Sequence, residues 1–129
     1  IHKNKKSCQV ISDQFSCPTS SINLAKTCWR IIARKSQDSY LPPVLHFCDK
    51  GTASWFDIAL TIGKIGKEIG LLNKTAKVES ISSFEFPSPA ARPKYAFLDC
   101  KLTYEQLGLK SIDWRISLKR ILNLIHSSH

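Results

Sequence analysis

An α/β fold with a few short strands, three main helices and one short helix is what this 129-residue sequence predicts. Three observations lead there. Apolar residues recur at helical spacing in three stretches, near residues 20–35, 54–69 and 113–125. Short apolar runs at 8–12, 44–48 and 76–81 read as strands. Proline and glycine mark the joins between them. The length is that of one domain, and a hydrophobic fraction of 43% is enough for a core near the small end of the range.

Residues 1–8 are polar and basic and read as a frayed end. A short strand over 8–12 leads into a loop over 13–18. Thr19 or Ser20 offers a hydroxyl to cap a helix reaching about Lys35, with Ile22, Ala25, Cys28, Trp29 and Ile32 on one face. Burial in the core is expected for Trp29. A turn over 37–43 follows, where Pro42 and Pro43 stop any helix. The run 44–48 reads as a buried strand, with His46 a satisfied core residue. Ser54 and Asp57 resemble a capping box, and the helix they start runs to about Ile69 with Trp55, Ile58, Ala59, Ile62, Ile65 and Ile69 inside. Gly70 is a natural stop. A strand over 76–81, a proline-bearing loop and a short helix over 101–107 ended by Gly108 come next. Ser111 or Asp113 caps the last helix, whose Trp114, Leu118, Ile121, Leu122 and Ile125 form one face.

The formal charge is +9, carried by lysines and arginines spread along the chain. Such spread describes a solvated surface that also attracts anions. No nucleic-acid motif accompanies it, so nucleic acid is not expected as a partner. No apolar run approaches the ~20 residues of a membrane-spanning helix, and no membrane partner is expected. The five cysteines, Cys8, Cys17, Cys28, Cys48 and Cys100, are odd in number and include no Cys-x-x-Cys pair. They read as scattered thiols of a cytoplasmic protein, without a zinc site. The chain begins Ile1-His2-Lys3 and has no methionine, which reads as a piece of a longer product.

The segment 84–102 holds most of the functional information. Pro87, Pro89 and Pro93 exclude a helix and stiffen the chain around Arg92. A guanidinium held in a rigid loop is suited to a phosphate-bearing ligand, through two parallel hydrogen bonds; the alternative is a surface salt bridge. Asp99 is placed to order the loop and cap the helix after it, and Lys101 reads as a surface cation.

Three blocks of the chain, in order, resemble one family. Pro89-Ala90-Ala91-Arg92-Pro93 with Leu98-Asp99 and Lys101-Leu102 is similar to a proline- and arginine-bearing segment of the dTDP-4-dehydrorhamnose reductases, which are extended short-chain dehydrogenases. Val10-Ile11-Ser12-Asp13-Gln14 with Pro18-Thr19 and Asn23-Leu24-Ala25 resembles an earlier block. Leu45-His46-Phe47 with Gly51-Thr52-Ala53-Ser54-Trp55-Phe56-Asp57 resembles a third, and Asp113-Trp114-Arg115 the closing helix. The likeness covers about residues 9 to 125. It implies the C-terminal substrate-binding part of a Rossmann-type fold, spanning 1–129 as one domain. The whole enzyme would reduce the C4 ketone of dTDP-4-dehydro-L-rhamnose with NADPH. It also implies a dTDP-sugar ligand touched by Arg92, Gln14, Thr19 and Asp13. For Thr19 the competing role is turn and helix capping; for Gln14 both readings stay open.

The cofactor half of that family is not legible here. No tyrosine has a lysine four positions on: after Tyr40, Tyr95 and Tyr104 stand Val44, Asp99 and Gly108. Gly63-Lys64-Ile65-Gly66 lies inside a helical pattern rather than after a strand, so it does not read as a dinucleotide turn. The expectation is that NADPH is held by an absent N-terminal domain and that this chain alone does no hydride transfer. That domain is the expected partner, together with self-association through the apolar surface that its absence would expose. The sequence departs from the family at Ala91, where an arginine pair becomes one arginine, at Ser16-Cys17 and at Tyr95-Ala96. A non-catalytic module of the same fold, binding sugar nucleotide or pairing with another protein, is the alternative.

Overall fold

The structure is a computed structural model that describes residues 2–3, 6–37, 40–86 and 90–128. Strand β1 (Ser7–Ile11) and strand β4 (Lys77–Ile81) pair in parallel over five residues, from Ser7 opposite Lys77 to Ile11 opposite Ile81. A second, smaller sheet has the order β3-β2-β5. In it β2 (Phe15–Ser16) runs antiparallel to β3 (Ala53–Ser54) and parallel to β5 (Tyr95–Ala96). The helices are α1 (Ser21–Lys35), α2 (Trp55–Glu68), α3 (Lys101–Leu107) and α4 (Trp114–Ser127). Helix α2 packs on β1, β4 and α4, while α1 packs on α3. The α/β class and the three-plus-one helix pattern stand as read from the sequence.

Local chemistry sets the helix ends. Ser20 rather than Thr19 caps α1, its hydroxyl accepting from Asn23 N–H at 3.4 Å. At α2 the capping box is complete: Asp57 N–H donates to Ser54 Oγ (3.1 Å), and Ser54 N–H donates to Asp57 Oδ2 (2.9 Å). Ser54 is 2% exposed, so its hydroxyl has no water to fall back on. Ser54→Ala is expected to cost about 1–2 kcal/mol in a thermal or urea melt, with the fold retained. Gly108 ends α3 in the left-handed conformation (φ 58°), and Asp113 caps α4. Gly51 also has positive φ (100°), and a Cβ there would lie 3.0 Å from Cδ1 of the buried Trp114. Only glycine suits that position.

Four expectations are corrected. Residues 44–48 form no strand; Val44 is 63% exposed and His46 is exposed rather than a core residue. The segment uses its backbone elsewhere: Cys48 C=O accepts from Tyr104 O–H at 2.6 Å, Asp49 N–H donates to Thr19 Oγ1, and Lys50 bridges Asp113. Trp29 is 71% exposed, and Ile32 lies open beside it. Helix α1 docks through its polar side, where Asn23 and Arg34 bond to the rest of the fold and Thr27 is buried, so its apolar stripe faces outward. Trp55, expected inside, is 53% exposed at the first turn of α2.

The N-terminal stretch is not uniformly frayed. His2 accepts from Ala76 N–H at Nδ1 (3.2 Å), which leaves Nε2 to donate to Ala59 C=O (2.9 Å). Its ring lies against Gly63, where a Cβ would come within 2.9 Å of it. Ile1, Asn4 and Lys5 lie outside the described residues. The short strands β2 and β5 fall where the sequence reads as loop, because two residues carry no periodicity.

Candidate functional site

A groove of about 650 Å³ opens beside the β1–β4 pair. Strand β1 contributes Gln9, Val10 and Ile11 to its lining. Trp55 forms one wall, Phe84 and Phe86 another, and Gln14, Ser83, Ala91 and Arg92 complete the lining. The walls are thus aromatic and the polar groups few, the composition of a small-molecule site. Among the described residues, one cation and no carboxylate lie in the lining.

Backbone pairing brings the two halves of the polar set together. Phe15 N–H donates to Lys94 C=O at 2.8 Å, and the Phe15 ring stacks on Tyr95 with centroids 5.7 Å apart. This pairing fixes the Arg92 segment against the loop that carries Gln14. Arg92 is exposed and has no ion-pair partner among the described residues. The Gln14 side chain likewise has no hydrogen-bond partner among them.

Asp13 acts on the wall rather than in the groove. It accepts from Ser83 N–H (2.9 Å), Ser83 Oγ (3.0 Å) and Ser82 Oγ (3.5 Å), and so pins the turn that displays Phe84 and Phe86. Burial pushes its carboxyl up, but the hydrogen bonds from Ser83 and Ser82 outweigh this and hold it below the ordinary value of 3.8. A depressed carboxylate stabilises the fold above its unfolded value and loses that contribution as pH falls through the folded one. The Ser83 amide resonance is therefore expected to titrate with a midpoint below 3.8, and in Asp13→Asn that step should vanish.

Thr19 stands apart from the groove. Its hydroxyl donates to Cys17 C=O (3.0 Å) and accepts from Asp49 N–H (3.3 Å), beside a separate small cavity of about 90 Å³. Asp99 accepts from Lys101 N–H at 2.9 Å and orders the entry to α3. Pro87, Ser88 and Pro89 of the stiff segment lie outside the described residues.

Sequence reasoning missed two features. The aromatic wall was not foreseen, although Phe84 and Phe86 flanking prolines, and a tryptophan at a helix start, were its visible signals. The other is Asp49, 2% exposed, which accepts from Ser20 N–H (3.1 Å) and Asn23 Nδ2 (2.9 Å) at the N-terminus of α1. Asn23 also donates to Ser117 Oγ of α4, so this carboxylate organises α1, α4 and the 44–50 segment.

Gly63-Lys64-Ile65-Gly66 makes no strand-to-helix turn of the kind that cradles a dinucleotide. Gly63 and Gly66 are buried mid-helix in α2, packed on His2 and Leu72. Tyr104 is committed to Cys48 C=O, and burial pushes its phenol up to about 12. No group of three or more metal-ligating side chains occurs among the described residues, and no helix among them is long and apolar enough to cross a membrane.

Comparison with known proteins places the fold in a family. The chain is 26% identical over 123 residues to the dTDP-4-dehydrorhamnose reductase of Escherichia coli K12, covering 95% of this chain and 41% of that protein. It spans about two fifths of the length of the curated relatives it matches. Its fold matches the crystal structure of a dTDP-4-dehydrorhamnose reductase from Clostridium acetobutylicum with a TM-score of 0.78 and 29% identity, over 95% of this chain and 40% of that one. The reductase of Bacillus anthracis, solved in complex with NADP, shares the fold with a TM-score of 0.71 at 24% identity, over 94% of this chain and 38% of that one. The family model for the RmlD substrate binding domain matches residues 1–127, and the chain belongs to that family.

Proposed function

We propose that this chain holds a dTDP-sugar for a reductase whose hydride donor, NADPH, is bound by a separate N-terminal unit. Residues 1–129 then form one substrate domain. The observation that carries the reading is that Arg92 and Gln14, neither of which has a side-chain partner among the described residues, line one aromatic groove. Trp55, Phe84 and Phe86 offer flat apolar faces to a base, Arg92 offers two parallel donors to a pyrophosphate, and Gln14 reaches the sugar. Asp13 holds the Phe84 wall in place, and Thr19 supports the loop from behind. The whole reductase would reduce the C4 ketone of dTDP-4-dehydro-L-rhamnose. This chain's share is to bind and orient the sugar; alone it turns nothing over.

Isothermal titration of dTDP and a dTDP-sugar into the chain tests this. Saturable binding with one site is expected; a flat titration against a chain shown folded by circular dichroism would contradict it. The outward apolar stripe of α1, with Trp29 and Ile32, supports an interface with the cofactor-binding unit of a cytoplasmic enzyme. Without that unit, self-association that grows with concentration is expected in gel filtration. A monomer at every concentration would argue against the interface.

A further inference from the structure

Three of the five thiols converge at a place the groove does not use. Cys48 Sγ and Cys100 Sγ lie 3.4 Å apart, 52 residues apart in sequence, at 7% and 6% exposure. Both thiols point at one acceptor, Leu98 C=O, at 3.9 and 3.6 Å. The half-buried Cys17 thiol lies near enough to Cys48 to help push its thiol up, while Cys28 is exposed on α1.

We propose that Cys48 and Cys100 form a modification site, a dithiol converted to an intramolecular disulfide by low-molecular-weight disulfides of the oxidised-glutathione class, with Cys17 as the entry thiol. A disulfide needs about 2.05 Å between sulfurs, so the gap closes by roughly 1.4 Å. Cys48 lies in an irregular segment and Cys100 just before α3, so the gap closes between residues outside the helices and sheets. Direct attack on the reagent by the pair is slow, since Cys48 and Cys100 are almost closed to solvent. Cys17 is the accessible member. Its thiolate attacks the reagent, breaking the reagent's S–S bond and releasing one thiol. The Cys48 sulfur then attacks Cys17 Sγ and expels the second reagent thiol. The Cys100 sulfur attacks Cys48 Sγ and returns Cys17 to its reduced form. Two electrons and two thiol hydrogens pass from Cys48 and Cys100 to the two released thiols. The product ties the segment before Asp49 to the start of α3.

The test is to incubate the folded chain with oxidised glutathione, alkylate free thiols under denaturing conditions, and map tryptic peptides by mass spectrometry without reductant. A Cys48–Cys100 linked peptide lacking two hydrogens is expected. The oxidised chain should melt roughly 10 °C above the chain kept in dithiothreitol. Cys17→Ser should form the same link about tenfold more slowly. Cys48 and Cys100 both recovered alkylated, after the exposed Cys28 is fully modified, would overturn the site. Link formation in Cys17→Ser at the parent rate would overturn the entry route. Both readouts on Cys48 and Cys100 use the unmutated pair, so neither depends on a core variant folding.

Discussion

Arg92→Ala is expected to weaken dTDP binding by roughly 10- to 100-fold while leaving the melting temperature within a degree or so of the parent. The magnitude follows from losing a charge-assisted, two-pronged contact, about 1.5–3 kcal/mol. The unchanged fold follows from the position: Arg92 is exposed and makes no ion pair among the described residues that the variant could break. Arg92→Lys should fall between, since lysine keeps the charge but not the fork. Titration calorimetry with dTDP, run beside circular-dichroism melts, checks both halves. Equal affinity in all three proteins would remove Arg92 from the site.

The second large effect lies far from the groove. Asp49→Ala is expected to cost roughly 3 kcal/mol of stability, because Ser20 N–H and one Asn23 amide hydrogen would be left buried without an acceptor. The carboxylate also sits at the positive end of α1 with no side-chain cation bonded to it among the described residues, so the helix itself supplies part of its compensation. Asp49→Asn separates the contributions. The amide keeps one oxygen, but its NH₂ faces a donor, and a loss of about 1–2 kcal/mol is expected. Urea unfolding with an unchanged m-value is the measurement. A loss under about 0.5 kcal/mol for Asp49→Ala would mean that the network is not holding α1.

What could be read from the sequence depended on whether the signal was local. The ends of α1 and α2, the stop at Gly108 and the strands β1 and β4 came out of caps, glycine and apolar patterning, which act within a few residues. The short strands β2, β3 and β5 did not, because each exists only through partners tens of residues away. Helix α1 shows the limit of periodicity: the stripe through Trp29 was real, but which side of the helix faces the chain was decided by Asp49 and Ser117, remote in sequence. The same holds for the groove. Arg92 and Gln14 were singled out one by one, and both line it, whereas the aromatic wall between them arises from a turn pinned by Asp13. Ala91 also lies in the lining, beside Arg92.

The central claim, that this groove takes a nucleotide sugar, is tested most directly by amide chemical-shift mapping of the isotope-labelled chain during titration with a dTDP-sugar. Saturable shifts confined to Gln9–Ile11, Gln14, Trp55, the Ser83–Phe86 turn and Ala91–Arg92 are expected. A well-dispersed spectrum that the ligand leaves unchanged, or shifts gathered elsewhere on the fold, would contradict it.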